Sequence, residues 1–310
     1  MKPPKPSLPS RLPRKPRLFG KPRLFVVWAL LILLALLTLT SCAGNTISTH
    51  TASPKTDVSP FLTDKTLSCT VTLEMESGVA RTEEGEVLAI YAYQLPVMTV
   101  LREDGSALTA AKTEAEKQAL AAADAFNAEF IEWAESADFP SLEAAAKEDY
   151  QWRTLSGQTW DFQYSQSLES SVYQTDRMVS ITGNYYSYSG GAHPNTMLFG
   201  WNFDLRSGQF FSPEQLFEDV EAVTAELVRL AGERAAEFDL QPEEFFWRDY
   251  EDVLALWSDS NVAVTFDAAN MTVSYPPYEL ASYAAGEQIF TVPLAWLKPW
   301  LNDYGKELLF

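Results

Sequence analysis

The chain has 310 residues, with 23 Lys/Arg against 42 Asp/Glu and a net charge of −19. Residues 1–41 hold eight of those cations and none of the acids, so residues 42–310 carry −27. A surface this acidic repels nucleic acid and anionic lipid heads and attracts basic partners. Two histidines, His50 and His193, and two cysteines leave no HExxH pair, no zinc site built on several imidazoles and no CxxC dithiol.

The N-terminus is basic from Lys2 to Arg23 and then uncharged from Leu24 to Leu37, ending in Leu39-Thr40-Ser41-Cys42. A basic region, an apolar run and small residues before a cleavage point are the parts of an export signal. The last four residues resemble a bacterial lipobox, which implies that Cys42 becomes a lipidated N-terminus. The alternative is an uncleaved anchor, since roughly 17–25 apolar residues span a bilayer. Either reading places residues 43–310 outside the cytoplasm, on the outer face of the cell membrane. With Cys42 lipidated, Cys69 has no partner within the chain. Residues 42–65 are Thr/Ser/Pro-rich and read as a flexible tether that contains His50.

Structure is expected from Leu67 onward. Residues 68–75 alternate polar and apolar, as a half-buried strand does, and residues 87–100 form a second strand in which Pro96 signals an edge or a bulge. Thr113 and Glu116 make a capping box, and Ala119, Ala122, Phe126, Phe130 and Trp133 then line one face of a helix over 114–136. A short helix follows at 141–150. Strands are expected at 160–165 and 178–185. The cleanest alternation is Met197, Phe199, Trp201, Phe203 and Leu205 on one face, with Thr196, Gly200, Asn202 and Asp204 opposite. Ser212-Pro213-Glu214-Gln215 opens a helix expected to reach 238, and a second is expected at 242–257. Strands at 262–266, 271–275 and 288–292 and a helix at 294–301 complete the set. Grouped rather than alternating elements predict an α+β fold with mixed or antiparallel sheets and packed helices. The expected organisation is a signal peptide (1–41), the tether (42–65), a smaller α+β domain (66–150) and a larger one (151–310).

Three stretches carry a family resemblance: Tyr186-Ser187-Tyr188-Ser189-Gly190-Gly191-Ala192-His193-Pro194-Asn195, then Trp201 through Gly208 leading to Leu216-Phe217, and Tyr278-Glu279-Leu280-Ala281-Ser282-Tyr283-Ala284-Ala285-Gly286. Over about residues 150–301 the chain resembles the extracytoplasmic domain shared by the anti-sigma factor RsiV and the peptidoglycan deacetylase PdaC. It departs from both, with no metal-dependent deacetylase domain and no sigma-binding segment. The resemblance implies a binding or sensing module, lysozyme being the ligand of that module in RsiV, and it implies no catalysis and no cofactor. A cell-envelope hydrolase using His193 or carboxylates and a peptidoglycan-binding accessory domain remain as alternatives.

Single residues divide in the same way. His193 either pins its Gly-Gly-Ala-His-Pro-Asn turn by a hydrogen bond to backbone or belongs to a binding surface with Asn195. Tyr186 and Tyr188 share a polar strand face with Ser180, Thr182 and Asn184, as interface anchors or as cross-strand packing. Tyr278, Glu279, Tyr283 and Gly286 are typical of the family and read as loop architecture. Carboxylate pairs carry no information in a chain with 42 acids.

Overall fold

A computed structural model describes residues 66–310 apart from residue 260; Cys42, the tether and His50 lie outside the described residues. The first two expected strands form a long antiparallel hairpin, β1 (Leu67–Arg81) and β2 (Val87–Arg102). Pro96 sits in unbroken register opposite Leu73, and the only shift of register between the two strands falls at Ala80/Arg81. The next strand pairs with β2 only over Ala89–Tyr93, so beyond Tyr93 that side of β2 is an edge. An edge tolerates proline because no ladder hydrogen bond is lost. Two residues on, the amide of Asn127 takes the place of the missing strand, accepting from Met98 N (2.7 Å) and donating to Met98 O (3.1 Å).

Helix α1 (Glu114–Ser136) is capped as its sequence predicts, with Glu116 N donating to Thr113 Oγ1 (3.1 Å) and Thr113 N to Glu116 Oε2 (2.9 Å). Its apolar stripe buries Ala119, Ala122, Phe126 and Phe130 in one cluster with Val179, Ile181 and Phe203. Phe126 meets Phe203 edge-on at 5.2 Å, a favoured aromatic geometry. Helix α2 (Phe139–Leu155) is longer than expected and covers the turn end of the hairpin through Leu142 and Ala146, which pack with Ala80, Leu88 and Ala89. The two helices form the crossover that lets β3 (Tyr164–Gln174) lie parallel to β2. The strand expected at 160–165 begins instead at Tyr164, because Trp160 turns its indole N–H to Val87 O (2.9 Å) and stacks near Phe162. Strands β4 (Met178–Tyr188), β5 (Asn195–Asp204) and β6 (Gln209–Phe210) continue the sheet antiparallel, in the order β1 to β6. That one sheet draws strands from both sides of residues 150–158.

The helix expected from 212 to 238 is broken. A 3-10 turn at Pro213–Leu216 ends at Phe217, which is extended, bridges to Leu301 and buries its ring edge-on against Trp257. Asp219 then caps α3 (Val220–Ala236), accepting from Glu221 N and Ala222 N. The helix expected at 242–257 is likewise two pieces, α4 (Pro242–Phe245) and α5 (Tyr250–Leu254). Between them Trp247 N donates to Leu280 O (2.8 Å), a tertiary bond that competes with the helical one. The second sheet is β7 (Ala263–Phe266), β8 (Asn270–Tyr275) and β9 (Gln288–Pro293), all antiparallel. Its apolar face, with Val264, Met271, Val273 and Phe290, joins α3 and α5 in the largest core cluster. The last expected helix stops early as α6 (Leu294–Leu297), and α7 (Asp303–Leu309), capped by Asn302, follows it. The fold is α+β, with one mixed and one antiparallel sheet.

The two sheets join edge to face. The outer edge of β7 presents Val264 O and Phe266 N, which would be unpaired and buried. Asn202 Nδ2 donates to Val264 O (2.8 Å), and Ser180 Oγ accepts from Phe266 N (2.8 Å) while donating to Asn202 Oδ1 (2.8 Å). All the polar groups involved are thereby satisfied, which matters because each buried orphan costs about 1–3 kcal/mol. Gly200 makes the approach possible, since a Cβ there would lie 2.5 Å from Val264 O. Gly200→Ala should therefore destabilise the protein by about 2 kcal/mol, as overpacking against backbone does, and lower Tm by about 4–8 °C in thermal unfolding followed by circular dichroism. An unchanged Tm would show that the sheets are not held this closely.

Candidate functional site

The loop between β4 and β5 meets the segment between β8 and β9, about ninety residues later in the chain. Gly190 (φ 83°) and Gly191 (φ 97°) carry the loop through left-handed backbone that favours glycine. Tyr283, in a 3-10 turn at Tyr283–Ala285, donates its hydroxyl to Pro194 O (2.8 Å). His193 Nδ1 lies 3.0 Å from the same carbonyl, and its ring stacks on Tyr283 with centroids 3.7 Å apart and planes 21° apart. Tyr278 lies beside both rings, 5.5 Å from Tyr283 and 6.5 Å from His193. One carbonyl, two aromatic rings and one imidazole thus lock two distant loops together.

Tyr278 is the unusual member. Its φ of 73° is left-handed backbone without glycine, a conformation that costs of order 1–3 kcal/mol and persists only where neighbours enforce it. The enforcing bond comes from Trp247, whose indole N–H donates to Tyr278 O (3.0 Å). Tyr278 is 56 % exposed. With Pro276, Pro277 and Tyr283 on one side and Ser187, Asn195 and Met197 on the other, it borders an open groove of about 420 Å³.

The other expected site residues fall around this groove or outside it. Asn195 lines it and is paired with Ser187 across the strands. Tyr188 is half-buried and donates its hydroxyl to Gly191 O (3.2 Å), while Tyr186 is half-buried in register with Thr196. Cys42 lies outside the described residues. Cys69 is a free thiol on β1; burial pushes it up to about 11, against a weaker opposing hydrogen bond from Gln174, so at neutral pH it is protonated and a poor nucleophile. Among the described residues no group of three or more His, Cys, Asp or Glu could hold a metal ion, and no helix is long and apolar enough to cross a membrane. Trp247 and the strained backbone of Tyr278 carried no signal in the sequence. The stretch at 278–286 stood out in the sequence, but its partner across the fold did not.

Glu287, next after Gly286, has one carboxyl oxygen buried without a hydrogen-bond partner. Burial raises its pKa above the ordinary glutamate range, against a weaker opposing hydrogen bond from the backbone of Leu198. An acid whose folded-state pKa is raised binds more protons folded than unfolded in that window, so stability falls as pH rises through it. Glu287→Gln should be more stable than the parent near pH 7, with the difference closing as pH drops below the unfolded-state pKa to about 3, where the parent is protonated in both states. Denaturant unfolding at the two pH values measures this, and an equal difference at both would remove ionisation as the cause.

Comparison with known proteins shows a likeness of fold to a solved bacterial structure. The crystal structure of a DUF3298 family member from Bacteroides fragilis NCTC 9343 superposes with a TM-score of 0.52 at 14 % identity, covering 77 % of this chain and 95 % of that one. A DUF3298 family protein from Pseudomonas aeruginosa PAO1 gives a TM-score of 0.40 at 16 % identity over 76 % and 95 % of the two chains. No curated protein matches the chain. The sequence match is to the family described as "Protein of unknown function (DUF3298)", and it covers residues 214–295, from the start of the broken helix through Tyr278–Gly286 to the end of β9.

Proposed function

We propose that this chain is a binding or sensing module of the bacterial cell envelope, held on the outer face of the membrane by lipid on Cys42, related to the extracytoplasmic domain of RsiV and PdaC, and not an enzyme. The observation that carries the reading is the convergence of the His193 loop with Tyr278 and Tyr283. It yields an exposed aromatic surface held in a strained conformation rather than an enclosed cleft. His193 is engaged by its own loop, with Nδ1 at Pro194 O and the ring on Tyr283, which suits a structural latch better than a general base. Exposed tyrosines that pay little entropy on docking are common interface anchors.

The net charge of −27 over residues 42–310 favours a small basic protein as ligand, with lysozyme the example suggested by RsiV. Charge would mainly set the association rate and the aromatic surface the dissociation rate. Binding to a basic muramidase should weaken steeply with salt. Tyr278→Ala, and Tyr186→Ala or Tyr188→Ala if the strand face takes part, should each cost roughly 1–3 kcal/mol in calorimetric titration. Cytochrome c is the control, since any acidic surface attracts any basic protein. Equal affinity for cytochrome c and the muramidase would reduce the reading to non-specific electrostatics.

The anchor is tested separately. In a bacterial host, Cys42→Ala should abolish labelling by a radioactive fatty acid and leave an unprocessed precursor. A native protein whose mass spectrum begins at Met1 would eliminate lipid attachment.

A further inference from the structure

Past the bonds that join the sheets, their polar faces diverge into an open cleft of about 290 Å³. One wall comes from β3 and β4 with Ser171, Tyr173 and Thr182, and the other from β7 and β8 with Thr265, Thr272 and Ser274. Strand register puts these groups together, since Ser171 is opposite Thr182, Thr265 opposite Thr272, and Ser274 opposite Ile289. Ser274 is 3 % exposed and its Oγ has no hydrogen-bond partner. Among the described residues none of the six hydroxyls is hydrogen-bonded within the protein, whereas the neighbouring Ser180 is doubly bonded.

The chemistry of the walls narrows the ligand. Hydroxyls donate and accept alike, so their complement is a molecule that also does both at several positions. Asp267 is the one charged lining residue, and its carboxylate already accepts from Ala269 N (2.7 Å) and Asn270 N (2.8 Å). With no cation in the lining and a net charge of −19 on the chain, a phosphate or carboxylate ligand finds no counter-charge. Leu198 and the half-exposed Ile289 add an apolar rim that suits the C–H face of a ring. The volume lies just below the range of drug-sized sites, roughly 300–1,000 Å³, which suits a single small ring. We infer that the cleft between the two sheets is a binding site for a single neutral pyranose ring. The site is distinct from the aromatic groove and stands whether or not a protein binds there.

Saturation-transfer NMR on the full chain, in a detergent without a sugar headgroup, tests this with D-glucose, D-galactose, D-mannose and N-acetyl-D-glucosamine as probes. At least one should bind with Kd of about 1 mM or tighter. The shape-conserving double variant Thr182→Val/Thr272→Val should weaken it about tenfold or more, the loss of two hydrogen bonds. Ser171→Ala, at an exposed position, should weaken it severalfold with Tm unchanged, which keeps the test open if the double variant misfolds. D-glucuronate should bind more weakly than D-glucose. Absence of transfer to all four sugars, undiminished binding in both variants, or preference for glucuronate would each overturn the assignment.

Discussion

The contact on which the rest of the molecule depends is the seating of β7's outer edge on the polar face of β4 and β5. An exposed strand edge is a template for aggregation unless it is covered, and here it is covered by side chains. Ser180 and Asn202 complete the hydrogen bonds of Phe266 and Val264, and Gly200 removes the Cβ that would hold the backbones apart. The arrangement lets one sheet have two buried faces of opposite character. On the first, Val179, Ile181 and Phe203 meet α1; on the second, Ser180 and Asn202 bond a foreign backbone.

Two consequences follow from the geometry of that join. Because β7 meets β4 and β5 by its edge, the remaining strands of the small sheet stand away from the large one, and a hydroxyl-lined wedge opens between them. Because β8 and β9 are fixed in turn by β7, the segment joining them is delivered to the β4–β5 loop, where Tyr283 meets His193 and Pro194. The aromatic surface and the cleft therefore share one mechanical origin. A change that loosened the join would be felt at both.

Electrostatics and packing act on different scales here. The excess of acids is distributed over the chain and acts at the range of the Debye length, about 8–10 Å at physiological salt. Ion pairs such as Lys117–Glu114 and Arg234–Glu237 lie at exposed positions along helices, where each contributes little. The specific features are instead built from rings, carbonyls and hydroxyls: the stacked imidazole and phenol, the carbonyl of Pro194, the hydroxyls of the cleft. In the proposed function, long-range attraction and short-range selection would thus be carried by different residues.

What the sequence by itself determined were the local features, those whose energy comes from near neighbours. The capping box at Thr113 with its three- and four-residue apolar spacing defined α1 to the residue, and strict alternation located β5. Glycines in the β4–β5 loop marked a turn for the same reason. Tertiary structure decided everything that required a partner from afar. Phe217 left the helix expected around it because Leu301 and Trp257 rewarded an extended backbone, and Trp247 broke another by bonding to Leu280 and Tyr278. Asn202 and Ser180 read only as the polar side of strands until β7 was seen to dock on them. His193 could be placed in a turn, but not against Tyr283, since no periodicity relates residues ninety positions apart. Such pairings depend on which edges and loops the fold brings together, and that information exists only in three dimensions.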